Sequence, residues 1–375
     1  HTFERTTSYY LALGLGYTTA FNRSIATLSE DLKTIRPTVL MSVPRVYEMI
    51  YGKLRDGLAT KPAYVRYLFD WAVEVGWRRF CRQNGLPVEP SGRAWLDPFV
   101  AGFLDRKIGK TLRAVFGDRI HLYISGGAAL STPVAKVFLA LGVNIFQGYG
   151  MTETSPIIAV NREGSNHPNT VGPALENLEV RLGDGGELQV RGPSVMQGYW
   201  NRDDATRAIF TEDGWLKTGD VAEIYSDGHI RITGRIKEII VTSTGEKVPP
   251  SDLEAAIETD RLFAQTMVVG DDKPYIAALA VVHPDAFKEL CDELGLDPED
   301  DASLDAKPVR QAALKRIKLA TSGFPNYGVP RQVKLLRDAW TIDNGLLTPT
   351  LKLKRNIIRQ RYVDEIDALY DLVAK

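Results

Sequence analysis

The sequence predicts an α/β layer joined to a small β subdomain and followed by a small α+β domain, and three observations carry that reading. Short apolar runs at 38–43, 120–124 and 143–146 end in proline or glycine and are separated by helical spacings, as in a layered α/β sheet. From 171 to 233 apolar and polar residues alternate, which is the period of half-buried antiparallel strands. After 234 the alternation stops and strands and helices mix again. The expected boundaries are therefore 1–170 for the α/β layer and 171–234 for the β subdomain, with the α+β domain beyond them.

A chain of 375 residues with 44% hydrophobic and 25% charged residues describes an ordinary globular protein too long for one small core. Its net charge of -1 leaves no basic excess to neutralise phosphates, so no nucleic-acid partner is expected. Cys81 and Cys291 lie far apart without metal-ligand spacing, which suits a reducing, cytoplasmic setting with no disulfide framework. No apolar run is long enough to span a bilayer, and the first residues do not read as a signal peptide.

Residues 9–17 have helical spacing, 38–43 read as a buried strand ended by Pro44, and 46–58 suit an amphipathic helix. Between 64 and 113 aromatics and arginines crowd together, among them Tyr67, Phe69, Trp71, Trp77, Arg78, Arg79 and Phe80. Two readings stay open there. The stretch forms a membrane-facing surface for peripheral association or a partner-facing one, or the aromatics pack inward and the arginines are solvated, and the inward packing is the expectation. Pro87, Pro90 and Gly92 mark a loop, and the strand at 120–124 leads through Ser125-Gly126-Gly127-Ala128 into a helix at 132–141. In the β region, strands at 178–182, 187–191 and 229–233 are joined by turns at 183–186 and 226–228, and Asp220 falls in a further turn between strands. Beyond 234, Ser251-Asp252-Leu253-Glu254 has capping-box spacing, 266–270 and 275–283 read as strands, 284–294 and 309–320 as helices, and 297–305 as an acidic solvated loop.

The chemistry is expected in Gln147-Gly148-Tyr149-Gly150-Met151-Thr152-Glu153, where two glycines break a strand at the carboxyl edge of the sheet, the usual place of a ligand crevice in α/β proteins. Tyr149 offers a flat face for a purine, Thr152 a donor for a phosphate oxygen, and Glu153 a hard oxygen ligand for Mg²⁺. Taken alone, the stretch reads equally as a strand ending in a glycine turn. Gly126 and Gly127 would let the backbone approach a flat ligand, although a helix entry needs only the chain reversal.

Four motifs in order decide between these readings. Gly148-Tyr149-Gly150-Met151-Thr152-Glu153, Gly214-Trp215-Leu216-Lys217-Thr218-Gly219-Asp220, Gly234-Arg235-Ile236-Lys237-Glu238 and Thr348-Pro349-Thr350-Leu351-Lys352 together resemble the motif series of the adenylate-forming enzymes. Pro44-Arg45-Val46-Tyr47-Glu48 and the run from Leu347 through Arg355 are most similar to the long-chain fatty acyl-CoA synthetases. The resemblance implies a large adenylation domain followed by a small mobile domain, with a hinge at 235–237 and the small domain at 238–375. It implies ATP, Mg²⁺ and CoA as co-substrates and cofactor, and a fatty acid as substrate. Nucleotide contacts are implied for Gly126, Gly127, Ala128, Gln147, Gly148, Tyr149, Gly150, Met151 and Thr152. Asp220 would hold the ribose, with Arg235 a second ligand to the ribose or a phosphate, Glu153 the metal, and Gly245 the pantetheine path. Lys352 would be the catalytic lysine beside Thr152 and Glu153, although Leu351 stands where the commoner family form has glycine, which leaves Lys354 as the alternative.

The implied reaction is attack of the carboxylate on the α-phosphate of ATP, followed by displacement of AMP by the CoA thiolate. The lysine-bearing loop that covers the ATP phosphates in this family has no counterpart from His1 onward: Ser125-Gly126-Gly127 lacks a following lysine, and Gly245-Glu246-Lys247-Val248 lacks the phosphate-loop spacing. The chain therefore reads as the carboxyl-terminal portion of a longer enzyme. A ligase for medium-chain or aromatic acids, or a non-catalytic nucleotide-binding fragment, are the other readings.

Overall fold

The computed structural model describes residues 2–24, 27–348 and 351–371. The chain divides into two compact units, His1–Ile232 and Thr233–Lys375.

In the first unit a sheet has the order β1-β2-β3-β4, with β1 Val39–Ser42, β2 Leu122–Ser125, β3 Ile145–Gly150 and β4 Ile157–Val160. The first three strands are parallel, in register Val39↔Leu122 and Tyr123↔Ile145, and β4 returns antiparallel to β3. Helices Pro44–Ala59, Ala63–Gln83 and Thr132–Ala140 fill the connections between the parallel strands, and their apolar stripes close a core around Tyr47, Phe116, Phe138 and Ile145. Pro44 sits in the first helical turn, where its missing N–H breaks no bond.

The glycines of the central motif do not end their strand: β3 runs through Gly148 to Gly150. The physical reason is the closeness of β4. A Cβ on Gly150 would lie 1.9 Å from the Pro156 carbonyl oxygen, so only glycine lets the two backbones pair there.

Arg78 departs from the expectation of solvated arginines. It is 6% exposed and grips Asp97 through Nε to Oδ2 at 2.8 Å and Nη2 to Oδ1 at 2.6 Å, tying helix Ala63–Gln83 to helix Asp97–Leu104. Its guanidinium holds the Asp97 carboxyl below the usual carboxylate range. Phe69 and Phe80 pack inward, whereas Tyr67 stays exposed. Among the described residues no helix is long and apolar enough to cross a membrane.

The second sheet of this unit has the order β5-β6-β7-β8, with β5 Glu179–Leu182, β6 Glu187–Arg191, β7 Leu216–Ile224 and β8 Ile230–Arg235. Its buried face, with Leu188, Val190, Ala222 and Ile230, packs on Ile158 and Ala159 of β4. Asp220 lies inside β7 and not in a turn between strands. Glu187 pairs with Val221 and Gln189 with Lys217, so the longer interval on β7 bulges at Thr218, Gly219 and Asp220. Gly219 takes φ 73°, which a bulge of this kind asks of glycine.

The second unit is built on a sheet of order β11-β12-β13, with β11 Phe263–Val269, β12 Ala277–Val282 and β13 Gln332–Leu336, preceded by the antiparallel pair β9 Ile240–Val241 and β10 Lys247–Val248. β12 is apolar and buried throughout because both its faces are covered. Ala278, Ala280 and Val282 join one core with helices Pro250–Ile257, Pro284–Leu294 and Lys307–Ala320. Ala277, Leu279 and Val281 join another with Trp340, Ile358 and Leu369.

Two expectations change in this unit. Pro250 already opens the helix, so Ser251 is inside it and caps nothing, and the Glu254 carboxylate turns instead to Arg355. The end of the acidic segment forms the helix Ala302–Asp305, whose Ser303 and Leu304 are buried.

Candidate functional site

In the first unit the residues singled out by sequence converge from three elements. Tyr149 leaves β3 and donates its hydroxyl to Asp220 Oδ2 of the β7 bulge at 2.5 Å, which brings two motifs far apart in the chain into one place. Asp220 is 4% exposed, and its N–H donates to Thr218 Oγ1 at 3.1 Å. Gln147 is buried: its Oε1 accepts the Leu130 N–H at 3.0 Å, and its amide donates to the Pro168 carbonyl. The first of these bonds ties the loop after β2 to β3.

Gly126 donates its N–H to the Ser42 carbonyl at 3.2 Å and lies beneath the Phe3 ring, which a Cβ would meet at 3.2 Å. Gly127 takes φ 85° with open space around it, and Ala128 is exposed beside it. A Cβ on Gly148 would meet only ordinary contacts. Met151 packs on the second core and donates its N–H to the Pro156 carbonyl at 2.9 Å. Thr152 is exposed and receives the Thr2 hydroxyl at 3.3 Å, so its own proton remains available to another acceptor. Glu153 Oε1 accepts the Tyr199 hydroxyl at 2.7 Å, and the Glu153 carbonyl accepts the Met196 N–H at 2.8 Å. Desolvation, helped by this carboxylate, pushes the Tyr199 hydroxyl up to about 12.

Arg235 ends β8, which runs across the boundary between the two units, and Gly245 and Lys352 belong to the second unit. The Arg235 carbonyl accepts the N–H groups of Glu238 and Ile239, both at 3.0 Å, closing a turn around Lys237. Gly245, at φ 85°, closes the loop between β9 and β10 with its N–H on the Thr242 carbonyl at 2.9 Å. Lys352 is exposed at a turn in which Thr348 N–H donates to the Lys352 carbonyl at 2.8 Å and Lys352 N–H to Thr348 Oγ1 at 3.0 Å. Pro349 and Thr350 of this motif lie outside the described residues. Leu351 takes φ 61°, the left-handed region in which glycine is the ordinary choice. Lys354 is the cap of helix Arg355–Arg361 and donates its N–H to the Leu346 carbonyl at 2.9 Å.

Residues 1–200 match the family model for AMP-binding enzymes, more than half of the chain, and residues 237–374 match the AMP-binding enzyme C-terminal domain. The chain belongs to the AMP-binding enzymes. Among curated AMP-binding relatives, long-chain-fatty-acid–CoA ligase FadD15 of Mycobacterium bovis is 34% identical over 94% of this chain and 58% of its own length. Long-chain-fatty-acid–[acyl-carrier-protein] ligase AEE15 of Arabidopsis thaliana is 29% identical over 99% of this chain and 54% of its own length. The fold matches the A domain of the carboxylic acid reductase from Segniliparus rugosus, solved with AMP and a co-purified carboxylic acid, at a TM-score of 0.67 and 26% identity, over 95% of this chain and 50% of that one. The chain thus spans little more than half the length of these AMP-binding relatives.

Two contributors were missed in the sequence. Tyr199, in an irregular segment before the helix Asp203–Ile209, reaches Glu153, and its only local signal is the tyrosine after Gly198. Arg355 grips Glu254 through Nη1 to Oε1 at 2.7 Å and Nη2 to Oε2 at 2.6 Å, while the Val268 N–H donates to Glu254 Oε1 at 2.8 Å. This buried pair anchors the residues just after Lys352 to helix Pro250–Ile257.

Proposed function

We propose that the protein carrying this chain is a long-chain fatty acid–CoA ligase, which activates a fatty acid as its acyl-adenylate and passes the acyl group to CoA with release of AMP and pyrophosphate. The observation that carries the reading is the Tyr149–Asp220 contact, which joins an aromatic face and a buried carboxylate as a purine and its ribose require. The names of the relatives at 29–34% identity support the choice of fatty acid. An apolar cavity of about 620 Å³ in the first unit, lined by Leu32, Val46, Ile50, Leu54 and Leu112 among others, supports an apolar substrate chain.

In this reading Tyr149 and the glycines at 126, 127, 148 and 150 bound the adenine, and Asp220 accepts the ribose hydroxyls with Arg235 as their second ligand. The first step gathers negative charge on phosphate oxygens while the attacking group is itself an anion, so fixed donors and cations lower its barrier. Thr152 donates to a phosphate oxygen, and Lys352 supplies positive charge. Magnesium fits Glu153, whose Oε2 is left over by Tyr199: one carboxylate with substrate phosphates and water is a usual ligand set for this ion. The left-handed backbone at Leu351 supports Lys352 over Lys354, because the turn keeps a glycine-like conformation just before it. Residues 235–237 form the hinge on which the small domain turns for the second step, bringing Gly245 to the pantetheine path.

The test is pyrophosphate release by the full-length protein across a panel of acids, with and without CoA. Release with long-chain fatty acids and capture of the acyl group by CoA supports the reading. A response confined to amino acids contradicts it. The AEE15 similarity gives a second reading for the acceptor alone, and acyl transfer to acyl-carrier protein in place of CoA would favour it.

A further inference from the structure

Outside this site, the loop after β4 and the hairpin between β7 and β8 bring two imidazoles and a carboxylate together. His167 and His229 stack with ring centroids 3.8 Å apart and planes 10° from parallel. Asp227 Oδ2 lies 3.2 Å from His229 Nδ1 and 3.7 Å from His167 Nδ1. The carboxylate is aimed by its other oxygen, since Oδ1 accepts the His229 N–H at 3.1 Å.

The partners of His229 suit the tautomer that a metal ligand needs. His229 Nε2 lies 3.1 Å from the Ser165 carbonyl and 3.3 Å from Ser165 Oγ; the carbonyl can only accept, and a proton on Nε2 satisfies it, which is the tautomer a ligating Nδ1 requires. Nδ1 then presents a lone pair. It is buried, has no hydrogen-bond partner, and faces a carboxylate that also only accepts. Two acceptors at 3.2 Å repel unless a cation stands between them.

We propose that His167, Asp227 and His229 form a binding site for a divalent transition-metal ion of the zinc class, with water as the remaining ligand. Two neutral imidazoles and one carboxylate are a common zinc donor set, and a carbonyl that accepts the outer ring N–H is the usual orienting partner of a ligating histidine. Bonds of about 2.0–2.1 Å at tetrahedral angles would place donor atoms about 3.3 Å apart. The separations of 3.2 and 3.7 Å bracket that distance. Stacked rings point their lone pairs side by side, so capture of the ion turns the His167 ring, the less buried of the two. Asp227 is half exposed and gives the ion its entrance.

The site would clamp a loop that the nucleotide site leans on. Within that loop the Asn161 side chain accepts the His167 N–H at 3.0 Å, and the Pro168 carbonyl accepts the Gln147 amide. Metal binding therefore raises the stability of the first unit without taking part in the reaction.

The experiment uses tag-free protein stripped with chelator and titrated with Zn²⁺, followed by calorimetry and thermal melting, with Co²⁺ absorption as an independent reading of the ligand field. One equivalent is expected to bind and to raise the melting temperature. Asp227→Asn, which keeps the bond to the His229 N–H, and His167→Ala should each weaken zinc by about tenfold or more, at least as much as outer-shell partners usually carry. His121→Ala, an exposed histidine elsewhere, should change nothing. Melting without zinc shows whether each variant still folds. No saturable uptake, or uptake that His167→Ala and Asp227→Asn leave unchanged, overturns the proposal. So does a melting temperature that follows pH but not zinc, because a proton would then fill the gap.

Discussion

Gly148 and Gly150 stand two residues apart in β3, yet alanine at the two positions should behave in opposite ways. At Gly150 a Cβ would lie 1.9 Å from the Pro156 carbonyl oxygen, 2.7 Å from its carbon and 2.9 Å from Ile157 Cα. All three are backbone atoms of Pro156 and Ile157, so no side chain can swing aside. Relief requires β4 to retreat, at about 1–3 kcal/mol for an overpacked contact. The retreat also loosens the Met151 N–H to Pro156 carbonyl bond, which adds about 0.5–1.5 kcal/mol. The expected cost of Gly150→Ala is therefore about 1.5–4.5 kcal/mol. At Gly148 the nearest atom to a new Cβ is the Ala159 oxygen at 3.5 Å, an ordinary contact, and alanine there is neutral or stabilising by up to about 1 kcal/mol through the unfolded chain. Urea unfolding followed by tryptophan fluorescence measures both, since Trp71, Trp77, Trp95, Trp200 and Trp215 lie in the first unit and only Trp340 in the second. Equal midpoints for the two variants would refute the reasoning.

Asp220→Ala should weaken ATP binding by about 1.5–3 kcal/mol, the loss of a charged acceptor, and unchanged affinity in calorimetry would remove Asp220 from the ribose site. Lys352→Ala should abolish adenylate formation yet leave thioester formation from supplied acyl-adenylate largely intact, and the same pattern from Lys354→Ala would move the catalytic lysine by two residues. Arg78→Ala should destabilise the first unit by about 3 kcal/mol, because it leaves the buried Asp97 carboxylate with only the half-exposed Arg82 guanidinium at 3.5 Å. Arg78 lowers the folded-state pKa of Asp97, so the stability it lends is present above the ordinary carboxylate range and is lost as pH falls through that lowered value. Acid unfolding curves should show this loss in the parent chain and a smaller one in Arg78→Ala, where only Arg82 still faces Asp97. Lys237→Pro should slow thioester formation far more than adenylation if 235–237 is the hinge, and equal effects on both steps at unchanged melting temperature would speak against it.

The elements legible in the sequence were those with a local signature. The unbroken apolar run of β12 follows from burial on both faces, and the apolar positions of β6, Leu188 and Val190, share one core face, although Gln189 between them is buried too. Family motifs located the central residues, but their backbone was misread. A glycine pair reads as a strand end, and only the closeness of Pro156 explains why β3 continues. Asp220 reads as a turn residue because a bulge and a turn ask for the same glycine. The strand β4 has no signature in the sequence, since four residues after Pro156 are too few to show a period. The pairs Arg78–Asp97, Glu153–Tyr199 and Glu254–Arg355 were hidden for another reason. Each joins residues from different elements, and a charged residue in a helical run reads as solvated until its partner is known.

The most direct test of the adenylation account follows oxygen atoms. If the full-length protein activates a fatty acid by attack of its carboxylate on the α-phosphate, one carboxylate oxygen leaves in AMP. Incubation with ATP, CoA and fatty acid labelled with heavy oxygen in the carboxylate, followed by mass spectrometry of the nucleotide, should show label in AMP. Label in inorganic phosphate, with ADP as the nucleotide product, would contradict it.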